Sequence, residues 1–157
     1  MYNFDMEQEV KQSEIKRETV YHENIKDNEY LPVFFDYVSA ENMFIPSHWH
    51  KHMEVLLMIN GKLEVNIDLE HFVLSKNDMI FIKSNSIHST KMIGNAEYVL
   101  LQIPESSFLG LNVDFSKYEL KNFFPDSTDF HIKEKLFAMK ECFLKKETGY
   151  NLEFLSL

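Results

Sequence analysis

The segment His48-Trp49-His50-Lys51-His52-Met53-Glu54 places ionisable side chains at every second position and then runs into Val55-Leu56-Leu57-Met58-Ile59 and Asn60-Gly61. In a regular strand, side chains two residues apart point to one face. That parity predicts that His48, His50, His52 and Glu54 project together from a strand over His48–Ile59, with Trp49 on the opposite face. Asn-Gly tolerates the positive φ of a type I′ turn, so a hairpin is expected at Asn60-Gly61. The following Lys62–Asp68 alternates cleanly, with Leu63, Val65 and Ile67 on one face.

Outward from this pair, further short β-rich stretches occur. Residues 31–38 precede it, separated from it by an expected loop over 40–46. His71–Leu74, Asp78–Ile82, Ile87–Met92 and Glu97–Ile103 follow, separated by turn residues such as Ser84-Asn85-Ser86 and Gly94-Asn95. Six to eight short strands at regular spacing predict an antiparallel barrel or sandwich. Its interior would be walled by Phe34 or Phe35, Leu63, Val65, Ile67, Phe81 or Ile82, and Tyr98 or Val99.

After Pro104 the period changes. Ile132, Leu136, Met139 and Phe143 are spaced four, three and four apart, an apolar helical stripe that also fits a coiled-coil seam. Gly149 reads as a helix stop, and a second amphipathic segment begins at Asn151. The expected organisation is an acidic arm over 1–30, with a short strand near Glu18–His22, a β domain over 31–104 and a helical extension over 105–157. The extension reads as part of a longer parent chain.

Composition narrows the function. The 157 residues include 14 Phe and 7 Tyr, too many aromatic groups for a disordered chain. Sixteen basic residues against 25 acidic ones give a net charge of −9, a repulsive field toward nucleic acid. No stretch approaches the roughly 18 apolar residues of a membrane span, and the acidic N-terminus lacks a signal-peptide layout. The lone cysteine, Cys142, cannot pair within the chain and has no activating neighbours. A cytoplasmic protein is the expectation. With four glycines, no phosphate-cradling loop is present, and no Ser-His-Asp order stands out.

The chemistry-bearing set is His48, His50, His52 and Glu54 on one strand, with the later His88 as a fifth candidate. Neutral imidazole nitrogens with one carboxylate suit a divalent ion such as Zn, Ni, Mn or Fe(II). A hydrogen-bonded set of imidazoles in a polar interior is the non-metal alternative.

The spacing His48-x-His50-x3-Glu54-x6-Gly61 resembles the first motif of the cupins, and Asn77-Asp78 with His88 is similar to the second. The second motif departs from the pattern: Lys76-Asn77-Asp78 stands where Gly-Asp is common, and Ser84-Asn85-Ser86 where Pro-Pro-Gly is common. The resemblance implies a cupin-like antiparallel β-barrel (jelly roll) with a C-terminal α-helical extension, and His48, His50, Glu54 and His88 as metal or ligand residues. Ile45-Pro46-Ser47-His48-Trp49-His50 together with Ser84-Asn85-Ser86-Ile87-His88-Ser89 further resembles the sensor domain of AraC-type transcriptional regulators. That resemblance covers about residues 30–157. It implies a small-molecule effector, a homodimer formed through the stripe of Ile132, Leu136, Met139 and Phe143, and contact with DNA only through a C-terminal domain outside this chain. It also implies no catalysis. A small metal-dependent cupin enzyme, of dioxygenase or isomerase type, is the alternative.

Overall fold

The computed structural model describes residues 20–108, 121–126 and 131–157. Eight strands occur among them: β1 (Tyr21–His22), β2 (Phe34–Glu41), β3 (Phe44–Trp49), β4 (His52–Ile67), β5 (Glu70–Leu74), β6 (Met79–Ile82), β7 (His88–Pro104) and β8 (Phe123–Phe124). A 3-10 turn (Glu105–Phe108) follows β7, and two helices close the chain, α1 (His131–Lys145) and α2 (Tyr150–Ser156). The mainly β character and the short helical part at the C-terminus agree with the sequence reading.

The two long strands β4 and β7 organise everything else. They pair antiparallel along almost their whole lengths, from His52↔Pro104 to Ile67↔His88. Their register shifts between Met58 and Lys62, where both strands bend. Gly61 sits at that bend with φ +79°, and a Cβ on it would collide with the carbonyl oxygen of Asn95. Only glycine meets both conditions. The first half of β4 and the second half of β7 form one layer, with β6 beside β4 and β2 beside β7. The other halves form a second layer, with β5 beside β4 and β3 beside β7.

Three expectations are corrected. Asn60-Gly61 is not a hairpin: β4 continues through it, because both of its halves find longer partners on β7 than they would find in each other. The hydrogen-bonded sheet is mixed and does not close into a barrel. β1 runs parallel to β3, and the strand path ends at β1 and β8. The expected loop over 40–46 is mostly strand, with β2 reaching Glu41 and β3 starting at Phe44. Asn42, at positive φ, makes the turn between them and exchanges hydrogen bonds with Gly94. The region after residue 104 also contains strand: Phe123 and Phe124 lie along the edge of β6, opposite Ile80 and Met79.

Two apolar clusters hold the layers. Between them lie Leu56, Met58, Leu63, Val65, Ile67, Leu74, Ile80, Ile82, Met92 and Tyr98. Outside the first layer, Phe35, Val55, Leu57, Val99 and Leu101 pack against Leu136, Cys142 and Phe154 of the helices. Each fully buried aliphatic side chain contributes about 1.5–3 kcal/mol. The 132/136/139/143 stripe meets this second cluster: Leu136 is buried in it, Met139 and Phe143 pack on it, and Ile132 is 44% exposed. Among the described residues, no helix is long and apolar enough to cross a membrane.

Candidate metal centre and ligand cavity

His48 is near the end of β3 and His88 begins β7, directly across the ladder from it. His50 lies just past β3, where the chain leaves the second layer to enter the first as β4. Glu54 follows on β4, facing the space between layers, with Gln102 as its cross-strand neighbour. The cluster is therefore assembled by a change of layer at residues 50–51. It is not one continuous strand, and the parity argument fails for His52. That side chain turns away, its Nε2 3.5 Å from Asp27 Oδ1.

The three imidazoles are oriented alike. His48 Nδ1 donates to the Pro46 carbonyl at 2.9 Å, His50 Nδ1 to the His52 carbonyl at 3.0 Å, and His88 Nδ1 to the Ser86 carbonyl at 3.0 Å. A carbonyl only accepts, so each Nδ1 carries a proton; His50 also donates from Nε2 to the Glu54 carboxylate, a proton that a bound metal ion would displace. One ligand nitrogen from each ring falls within 4.8 Å of the others. Backbone carbonyls that fix the distal ring nitrogen are the support that metal-binding histidines require.

Glu54 completes the group from the side. Its Oε2 accepts from Gln102 Nε2 at 2.7 Å, and lies 3.1 Å from His50 Nε2 and 3.8 Å from His88 Nε2. Burial opposes the charge on Glu54, but hydrogen bonds from His50 and Gln102 and the nearby His88 outweigh it, holding the carboxyl below its usual range. Burial likewise opposes charge on His50, and the Glu54 carboxylate overcomes it, so its pKa is raised. On His88 burial prevails and the pKa is lowered. His88 Nε2 is thus a bare nitrogen, buried and without a hydrogen-bond partner. Such an atom is costly to leave unpaired. This donor set fits a divalent ion: His48, His50 and His88 would hold it through Nε2, with Glu54 as the carboxylate ligand.

Beside the cluster is a cavity of about 500 Å³. Its walls include Phe34, Asp36 and Val38 of β2, Met43, Ile45 and His48 of β3, Glu54 and Leu56 of β4, and Thr90, Tyr98, Leu100 and Gln102 of β7. Of the expected interior residues, Phe34 and Tyr98 line it. Leu63, Val65, Ile67 and Ile82 fill the neighbouring core, whereas Phe35 and Val99 face the helices. Burial pushes the Tyr98 phenol well above its usual pKa, and the carboxylates of Glu54 and Asp36 add to the effect.

The remaining wall is the arm. Glu23, Asn24, Ile25 and Lys26 line the cavity. β1 pairs with β3 at Tyr21↔His48 and His22↔Trp49, and Glu23 Oε2 is 3.4 Å from His48 Nε2. Trp49 faces away from the cluster, as its parity predicts, and the His22 ring lies 4.3 Å from it. Sequence reasoning missed Glu23, Asp36 and Gln102. Glu23 lies in a stretch of mixed charge, whereas Asp36 and Gln102 interrupt apolar strands at inward positions.

Residues 39–104 match the family model described as the cupin domain. No curated protein matches the sequence. Similar solved structures include a cupin superfamily protein from Desulfitobacterium hafniense DCB-2, 15% identical over 47% of this chain and 69% of that one, TM-score 0.45. A conserved protein of unknown function from Streptococcus pyogenes is 14% identical over 54% and 80%, TM-score 0.46. The cupin domain of Schizosaccharomyces pombe Cnp3 is 15% identical over 52% and 59%, TM-score 0.47. His48, His50, Glu54 and His88 all lie within the stretch, residues 39–104, that matches this model.

Proposed function

We propose that this cupin domain is the effector-binding and dimerisation part of an AraC-type transcriptional regulator. It binds a small molecule beside a divalent ion and does not transform it. The observation that carries this reading is the cavity. Its wall runs from His48 and Glu54 to residues 23–26 of the arm, so an occupant touches both. A ligand that favours one placement of the arm over another shifts the population of that placement, and only such a difference in affinity can produce a signal. A bound divalent ion would supply a Lewis-acid contact to a ligand oxygen. The homodimer would draw on the helical part, where Ile132 and Leu144 of α1 are exposed. DNA would be reached through a C-terminal domain outside this chain, in the cytoplasm.

The gene beyond the codon for Leu157 tests the reading. A frame that continues into two helix-turn-helix units supports it, and a stop codon there contradicts it. One observation favours a second reading, a metal-dependent cupin enzyme of dioxygenase or isomerase type: the bare Nε2 of His88 completes a full ligand set. Turnover of a cavity-binding compound by the Fe(II)- or Mn(II)-loaded chain would select that reading over the sensor.

A further inference from the structure

Asp36 is out of place by the rules of a folded sheet. It sits in the middle of β2 on the inward face, between Phe34 and Val38, which also line the cavity. Across the ladder its neighbour is Leu100, and beyond that Leu56. Its Oδ1 accepts the Tyr37 amide at 2.8 Å. Among the described residues, no cation pairs with its carboxylate. The other two carboxylates of the cavity are compensated: Glu54 by His50 and Gln102, Glu23 by His48. Lys26, the cavity's lysine, is exposed on the arm, where water screens it.

Asp36 is half-buried, so its carboxylate is in part withdrawn from water without a counter-charge of its own. In a cavity with apolar walls, one convergent charge of this kind fixes the orientation and charge of a ligand. We propose that the cavity takes a small organic amine, whose ammonium group pairs with the Asp36 carboxylate while its apolar body lies along Phe34, Val38 and Leu100. The hydroxyls of Tyr98 and Thr90 remain for a further polar group of that amine. This inference rests on the cavity being a ligand site, as proposed above, and adds the sign of the ligand's charge.

The test is calorimetry and thermal shift on the full chain with matched series: benzylamine, benzyl alcohol and benzoate, then phenethylamine, 2-phenylethanol and phenylacetate. The amine of each series is expected to bind at least about tenfold tighter than its alcohol or carboxylate. Asp36→Asn should reduce amine binding to the level of the alcohol and leave the alcohol unchanged. Because it removes an unpaired charge, Asp36→Asn should also unfold at a temperature no lower than the parent. Amine binding indifferent to Asp36→Asn, a preference for the carboxylate, or a strongly destabilised Asp36→Asn variant would each overturn the inference. Alcohols or carboxylates that bind while amines bind no better would remove only the charge assignment. Binding by no member of either series would remove the ligand-cavity reading as well.

Discussion

The space between the two layers has two halves, and they could hardly differ more. On the side of β5 and β6 it is filled: Met58, Leu63, Val65, Leu74, Ile80 and Ile82 have no exposed surface. On the side of β2 and β3 it is hollow, with about 500 Å³ bounded by Asp36, His48, Glu54, Thr90 and Gln102 among apolar neighbours. The strands β4 and β7 run through both halves, so secondary structure does not separate them. What separates them is the chemistry of the inward positions. Aliphatic residues on β4, β5 and β6 pack one half shut, whereas Asp36 on β2, His48 on β3, Glu54 on β4 and Thr90 and Gln102 on β7 border the open half. Stability is thereby concentrated in one half and binding in the other.

The comparison breaks most easily at the bend shared by both halves. Gly61→Ala combines a positive-φ penalty of about 1–2 kcal/mol with an overlap on Asn95 that costs roughly 1–3 kcal/mol. A loss near 4 kcal/mol is expected in urea unfolding followed by circular dichroism. The same truncation made in each half sharpens the contrast. Leu63→Ala, in the filled half, should cost about 3 kcal/mol, because the surrounding core cannot close over the void. Leu100→Ala borders space that is already open and should cost about 1 kcal/mol. Equal costs would mean that the two halves are packed alike. Gly94→Ala isolates backbone strain from crowding, since φ is +67° but nothing lies within reach of a new Cβ. It should cost about 1 kcal/mol.

The smallest expected effect lies outside both halves. Cys142 is buried against the helices, and burial is the main cause of its raised pKa. Its thiol should react with Ellman's reagent only as fast as the chain unfolds, and Cys142→Ala, which gives up one weak contact to the Tyr150 carbonyl, should cost less than about 1 kcal/mol. Rapid labelling of the folded chain would place the helices differently.

Much of this was legible in the sequence, for physical reasons that also explain the rest. The alternation of Leu63, Val65 and Ile67 reports a buried face directly, and those residues are in the core. Asn60-Gly61 reported a positive φ, which is present at Gly61, but not its use. Whether such a residue closes a hairpin or bends a long strand depends on a partner some 30 residues away in β7, which local sequence does not contain. Strand parity picked out His48, His50 and Glu54, and the resemblance to the cupin motifs joined His88 to them. His52 was included wrongly, because the parity rule presumes an unbroken strand and the chain changes layers between Trp49 and His52. The stripe on α1 was visible as a stripe, but periodicity does not say which surface it meets. Leu136 meets the protein's own core. Glu23 had no local signature, since its place is set by the docking of the arm, and Asp36 showed only as an acidic residue within an apolar strand, its inward direction being set by the fold of β2 over β7.

The central claim is that the polar half is a built site for a divalent ion and a ligand, and not a core that happens to be polar. Calorimetric titration of the full chain with Zn²⁺, alongside the His88→Ala variant, tests it most directly. The account predicts one ion per chain and a loss of at least about 100-fold in affinity when His88, the bare nitrogen of the cluster, is removed. No binding by the parent chain, or equal binding by His88→Ala, would contradict it.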